Sequence, residues 1–206
     1  KYVDLISSRI EKMSSGDGSD MEIGSMIMEA NCEKVRMHIK EINDQNKIIK
    51  GKSLEHKMYI APTLVINPPE DSSLINKETF GPVVCIRPFS SQKELLDMVH
   101  KTGYGLAGSI FGRNKKRIKQ LLKELKIGNV SINDVFTHYG IASLPFGGQG
   151  ISGLGRLHGY EGLRALSRIK SVVENRFRFL PDPWWFSRPA WIERILNIFL
   201  KYYYKI

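Results

Sequence analysis

Three observations predict an α/β fold built on a mainly parallel sheet. Strand-like and helix-like stretches alternate along most of the 206 residues, the order that builds strand–helix–strand units. Val83-Val84-Cys85-Ile86 is a continuous apolar run, as expected of a strand covered on both faces. Two helices carry explicit signals: Ser91-Gln92-Lys93-Glu94 is a capping box, and Asn114 and Gly128 bracket a basic amphipathic run. The length allows a real core in one domain with an appendage, and 42% hydrophobic with 25% charged residues is ordinary globular composition.

In chain order, residues 2–12 read as a helix and residues 13–24 as a loop, because Ser14 to Ser19 offer turn residues and little to bury. A helix is expected over 28–42, where Met28, Cys32, Val35, Ile39 and Ile42 share one face. Cys32 therefore points inward, without the neighbouring cations or access that make a thiolate, and is read as structural. Residues 47–50 and 58–67 read as strands, the second broken by Pro62 and ended by Pro68-Pro69. A polar loop leads to the strand 83–86, which places Cys85 in the core as well. Leu95, Leu96 and Val99 give the helix 92–100 its inner stripe, and Gly103 and Gly105 end it. The strand 105–111 follows, then the helix 115–126 with Ile118, Leu121, Leu122 and Leu125 on one face. Residues 129–133 form the next strand and 134–144 a loop. Ligands of such sheets bind beyond the carboxyl ends of strands. Residues 134–146 sit there, whereas residues 78–82 precede a strand.

The net charge of +10 is concentrated in two runs. Residues 113–126 set seven basic side chains against Glu124, and residues 176–206 set six against Asp182 and Glu193. Both would attract phosphate or an anionic membrane, but the first lies opposite the apolar face of its helix and reads as a solvated surface. No nucleic acid partner is expected, since that face lacks interleaved aromatics for base stacking. Two cysteines and no signal peptide point to a reducing, cytoplasmic setting. No metal site is expected. A start at Lys1, already inside a helix, is what a fragment or a processed product would present.

Residues 144–170 crowd seven glycines behind Pro145-Phe146. Gly148-Gln149-Gly150-Ile151-Ser152-Gly153 matches the letters of a dinucleotide fingerprint, yet no buried strand precedes it. Leu154, two residues after Ser152, excludes a nucleophile elbow. The third reading is a structural glycine loop, followed by a helix over 159–170.

Glu78-Thr79-Phe80-Gly81-Pro82 and Pro145-Phe146-Gly147-Gly148, with Ser152-Gly153, Gly155, Gly159 and Gly162-Leu163, resemble the C-terminal signatures of NAD(P)-dependent aldehyde dehydrogenases. Tyr104-Gly105-Leu106-Ala107 and residues 128–133 fall between them in the family's order. Asn133-Asp134-Val135, His138 and Arg156-Leu157-His158-Gly159 are most similar to the class-three and fatty-aldehyde branch. The resemblance implies a three-layer catalytic domain over 1–170, a bridging and oligomerisation strand within 171–180, and an aromatic linker and amphipathic tail helix over 181–206. It implies a homo-oligomer that uses NAD or NADP and a small-molecule aldehyde. In that family a cysteine thiolate adds to the carbonyl, hydride passes to the nicotinamide, and a glutamate-activated water hydrolyses the thioester. The matching positions make Glu78 the ligand of the nicotinamide ribose and Phe80 its aromatic neighbour. They make Phe136, Tyr139, Gly140, Phe146 and His158 the lining of the aldehyde pocket, whose aromatic character suits a hydrophobic substrate. His158 is assigned no proton transfer. The nucleophile, the general base and the nucleotide-binding half match nothing here. The resemblance therefore implies a catalytic part that is inactive alone and partners with an N-terminal half.

In the tail, Ile192, Ile195, Leu196, Phe199 and Tyr203 form one helical face behind the linker 181–189. The segment is too short and charged to span a bilayer. It could lie in a membrane interface through residues 182–206, with Trp184, Trp185, Trp191 and the tyrosines 202–204 at headgroup level. It could equally dock on its own protein or cover a substrate entrance. Against the enzyme reading stands a second class, a non-catalytic interaction or membrane-associated protein that keeps the fold.

Overall fold

In the computed structural model, residues 1–42, 46–176 and 189–203 are described. The chain divides into two units, Lys1–Leu166 and Ser167–Ile206. The boundary falls four residues before the one expected at 170.

The first unit opens with helix α1 (Tyr2–Lys12), then the short strand β1 (Ser14–Ser15) and helix α2 (Glu29–Lys40). Strands β2 (Lys47–Lys50), β3 (Lys52–Ser53) and β4 (Thr63–Ile66) precede a single helical turn, α3 (Ser73–Asn76). Strand β5 (Val83–Ile86), helix α4 (Gln92–Lys101), strand β6 (Ala107–Ile110), helix α5 (Lys115–Glu124) and strand β7 (Asn129–Ile132) alternate after it. A turn of helix, α6 (Thr137–Gly140), and helix α7 (Gly159–Ala165) complete the unit. The expected capping residues act as read: Ser91 accepts from the N–H of Glu94, and Asn114 from that of Arg117.

The α/β class and the parallel bias hold. Three of the four strand pairings, β1–β3, β4–β5 and β6–β7, are parallel, and β2 runs antiparallel to β4. The strands do not form one sheet, however, but the separate sets β1-β3, β2-β4-β5 and β6-β7. The expectation for β5 is corrected accordingly. It is a sheet edge, Val84 is 49% exposed, and the strand buried along most of its length is β4. No described element of the chain covers the outer side of β5, so its apolar run has no second partner.

The core lies where α2 packs beneath this sheet. Cys32, Val35 and Ile60 are buried together, with Met26, Ile39, Met58 and Val83 packed around them. Cys32 points inward as its helical phase predicts. Cys85 is only half-buried, because β5 is an edge. In α5 the apolar face is turned in, with Ile118 buried and the basic residues outside.

Four elements were not expected from the sequence. The loop 13–24 contains β1, which pairs with the equally unexpected β3 far along the chain, and α3 and α6 are single turns inside expected loops. The helix after Gly159 ends at Ala165 rather than 170.

In the second unit the expected strand at Ser171–Glu174 does not form. Val172 and Val173 are exposed, and a strand needs a ladder partner to hold its backbone groups. The rest of that segment, 177–180, and the linker with Trp184 and Trp185 lie outside the described residues, as do Tyr204 and Lys205. Helix α8 (Ala190–Tyr203) matches the expected tail helix. Phe199 and Tyr203 stack along it with centroids 4.8 Å apart. No described helix is long and apolar enough to cross a membrane.

Candidate functional site

The loop 77–81 enters β5 and presents two side chains to solvent, Glu78 and Phe80. Between them Thr79 is held from below: its hydroxyl lies 3.0 Å from Nδ1 of His38, a buried residue in the second half of α2. Gly81 follows against Val35, where a Cβ would meet the valine methyl at 2.5 Å. Phe80 takes a left-handed backbone with φ of 50° and leaves its ring 68% exposed. A non-glycine residue adopts that conformation at an energetic cost, so the surroundings must hold it there. Glu78, Thr79, Phe80 and Gly81 line a cavity of about 460 Å³.

A second group gathers beyond the carboxyl end of β7. Asn133 leaves the strand with φ of 53° and exchanges side-chain hydrogen bonds with the backbone of Gly112, donating at 3.0 Å and accepting at 2.8 Å. Asp134 then organises α6. Its carboxylate accepts from the Thr137 N–H at 2.8 Å, the Thr137 hydroxyl at 2.7 Å and the Phe136 N–H at 3.0 Å. These bonds, the Thr137 N–H foremost, hold the Asp134 carboxyl below its ordinary value. The turn so fixed carries His138 and Tyr139. Nδ1 of His138 lies 2.8 Å from the hydroxyl of Ser131, which is buried in β7.

Four of the five residues assigned to the pocket converge here in ring contact. Tyr139 meets Phe136 at 5.4 Å, Phe146 at 5.1 Å and His158 at 5.9 Å between centroids, and Phe146 meets His158 at 6.3 Å. The fifth, Gly140, ends α6 with open space around it and adds no ring. His138, which had no assigned role, stacks on Phe146 at 5.8 Å and 19°. The sequence signal for it was its place among aromatics beyond a strand's carboxyl end. Nδ1 of His158 is buried without a hydrogen-bond partner, and the residue is left-handed, with φ of 60°. No ring contact or hydrogen bond joins Glu78 or Phe80 to this cluster among the described residues.

The glycine stretch sets the position of Phe146. Phe146 and Leu157 exchange two backbone hydrogen bonds, each 2.7 Å, which close the loop between them. That loop docks on the start of β6: Gln149 donates to the Gly105 carbonyl at 3.0 Å, and the Gly105 N–H donates to the Ser152 hydroxyl at 2.9 Å. Asn129 donates both to Leu106 at 2.7 Å and to Gly147 at 2.9 Å, joining strand and loop. Ser152 is thus engaged structurally, and the loop is neither a fingerprint nor a nucleophile elbow. Neither cysteine suits nucleophilic attack: Cys32 is fully buried, and burial pushes the Cys85 thiol up.

Residues 1–172 match the profile described as aldehyde dehydrogenase family. The chain is 31% identical to an aldehyde dehydrogenase of Craterostigma plantagineum over 86% of its own length and 37% of that protein's. It is 29% identical to the chloroplastic aldehyde dehydrogenase family 3 member I1 of Arabidopsis thaliana, over 86% and 32% of the two chains. Among solved structures it resembles a variant aldehyde dehydrogenase from Bacillus cereus with a TM-score of 0.75 and 29% identity, over 82% and 35% of the chains. It also resembles the NAD+ complex of betaine aldehyde dehydrogenase from Staphylococcus aureus, with a TM-score of 0.72 and 27% identity, over 80% and 34%. The chain spans about a third of the length of these proteins.

Proposed function

Because the chain belongs to the aldehyde dehydrogenase family, we propose that it forms the C-terminal part of the catalytic domain of an enzyme oxidising a hydrophobic aldehyde with NAD or NADP. The observation that carries this reading is the convergence of Phe136, Tyr139, Phe146 and His158, from three stretches of chain, into one aromatic cluster beyond a strand's carboxyl end. An apolar aldehyde chain would be gripped there by ring faces.

The loop 77–81 has the chemistry to hold the cofactor. The exposed Glu78 offers two acceptor oxygens for adjacent ribose hydroxyls, and the Phe80 ring stands free to pack on a flat heterocycle. When bound, NAD(P)+ supplies the hydride acceptor. His38 keeps Thr79 in place between these two side chains, so their separation is set by α2 rather than by a free loop.

This chain contributes walls rather than nucleophile. With Cys32 buried and the Cys85 thiol pushed up, no cysteine here is ready to attack a carbonyl, and the chain alone is expected to be inactive. It would act with an N-terminal nucleotide-binding part, as a homo-oligomer in which residues 171–180 join a partner's sheet. The test is reduced-nicotinamide formation from octanal with NAD+ and with NADP+, by this chain alone. Turnover by the chain alone would overturn the reading. The exposed apolar side chains of α8 favour a second role, contact of residues 182–206 with a membrane surface from the cytoplasmic side. A non-catalytic, membrane-associated protein is the form that role takes if the fold carries no chemistry.

A further inference from the structure

Three serines of the chain stand three residues after an arginine: Ser90, Ser167 and Ser171. Arginine at that distance is what one large class of protein kinases reads, through carboxylates that grip the guanidinium. Such a kinase holds its substrate as an extended segment. The motif therefore counts only where backbone, hydroxyl and arginine are all free, and the fold separates the three serines on that ground.

Ser90 is locked at the entry to α4. Its hydroxyl donates to the Glu94 carboxylate at 2.6 Å and its N–H to the same oxygen at 2.8 Å. Arg87 is half-buried, with its Nε covered and unpartnered. Ser167 lies two residues past the end of α7 and is itself engaged. Its arginine, Arg164, sits in the last turn of that helix, 5.5 Å over the Tyr160 ring. Ser171 differs on every count. Residues 168–175 adopt neither helix nor strand, and each of them is exposed. Among the described residues Arg168, Lys170 and Ser171 make no hydrogen bond or ion pair. Lys170 adds a second cation just before the hydroxyl, and Val172 an apolar side chain just after it.

We propose that Ser171 accepts a phosphoryl group from a nucleoside triphosphate, delivered by an arginine-directed kinase, and that the phosphate keeps residues 171–180 from joining a partner's sheet. The second half rests on the proposed reading of the chain as a homo-oligomer. In the transfer, the Ser171 Oγ bonds to the γ-phosphorus as the bond from that phosphorus to its bridging oxygen breaks. The nucleoside diphosphate leaves, and the hydroxyl proton passes to the kinase's catalytic aspartate. The product carries a charge of about −1.5 to −2 at neutral pH. Once the segment is a strand, Ser171 and Val173 share one face and Val172 and Glu174 the other. Glu174 turns its own face to water, which leaves Ser171 on the face that a partner covers. One hydrogen bond satisfies a hydroxyl buried there, whereas a phosphate dianion carries a far larger desolvation cost.

The test incubates the full 206-residue protein with ATP, Mg2+ and the catalytic subunit of the cyclic-AMP-dependent kinase. Intact mass and peptide fragmentation should report one phosphate, on Ser171. Ser171→Ala should abolish incorporation, and Arg168→Gln should slow it by about tenfold or more, the loss of one charge-assisted contact. Ser90→Ala and Ser167→Ala should leave the rate unchanged. All four positions lie at the surface, and circular dichroism should show the same fold throughout. No incorporation, incorporation on Ser90 or Ser167, or indifference to Arg168→Gln would overturn the site. Sedimentation at matched concentration reads the consequence. The unmodified protein and Ser171→Ala should self-associate, and the phosphorylated protein should sediment as a smaller species. Equal association with and without phosphate would overturn the control of assembly. A phosphorylated Ser171 in a chain that is monomeric before modification would overturn the homo-oligomer reading and leave the site standing.

Discussion

Nδ1 of His38 lies 3.0 Å from the hydroxyl of Thr79, so a buried residue of α2 sets the loop that displays Glu78 and Phe80. Thr79→Val keeps the shape and removes the oxygen. The imidazole nitrogen is then left buried and unpaired, a loss of about 1–3 kcal/mol. Urea unfolding should report that destabilisation, and Thr79→Ser should restore most of it. Equal midpoints for Val and Thr at this position would show that the contact holds nothing.

Asp134 makes the aromatic cluster sensitive to acid. Its carboxyl is held below the ordinary value, chiefly by the Thr137 N–H, so the charged form is the one that folding favours. A depressed folded pKa gives a contribution fully present above the unfolded value and lost as pH falls through the folded one. Below pH ~4 the melting temperature of the protein should therefore fall more steeply than that of Asp134→Asn. Ring resonances of Tyr139 and Phe146 should shift over the same range. Parallel curves for the two proteins would remove Asp134 from this role.

The local elements were legible because each carries its own signal. The Ser91 and Asn114 caps and the inward phase of Cys32 and Val35 on α2 all depend on residues a few positions apart. Sheet membership was not legible to the same degree. Val83–Ile86 reads as a strand covered on both sides, and only the absence of a described neighbour beyond β5 leaves Val84 exposed. Ser171–Glu174 fails for the same reason, since two valines prefer a ladder but cannot supply its other half. At the site, resemblance located the rings of Phe136, Tyr139, Phe146 and His158. The hydrogen bonds of His38 and His138 came only from the structure, because their partners Thr79 and Ser131 are brought to them by α2 and by the turn of α6.

Gly128, with no Cβ, lets the start of β7 and the glycine loop approach closely. A Cβ there would collide with the backbone carbonyl of Gly147, which cannot swing aside as a side chain would. Asn129 bonds that same carbonyl, so displacing it loosens the strand–loop junction as well. Gly128→Ala should destabilise the protein by about 1–3 kcal/mol in urea unfolding. Gly24→Ala, with open space around the added methyl, should be near neutral. A neutral Gly128→Ala would mean that the loop shifts freely and does not set Phe146.

Helix α8 tests the membrane reading. Trp191, Ile195 and Ile198 are exposed at turn spacing, and Phe199, Leu200 and Tyr202 extend the apolar surface. Arg194 and Lys201 supply positive charge on the same helix, and Glu193 is its one acid. A helix too short to cross a bilayer but apolar over so much of its surface would lie at the interface, drawn by anionic headgroups and anchored by its rings. Co-sedimentation should therefore be strong with vesicles containing phosphatidylserine and weak with phosphatidylcholine alone. It should fall as salt rises, since the attraction is screened over a Debye length. Deleting the residues after Pro181 should abolish it. Trp191→Ala with Phe199→Ala should weaken it, with α8 remaining helical because neither substitution lowers helix propensity. Equal sedimentation of the full and shortened chains would reject membrane contact and leave the apolar face of α8 to a protein surface.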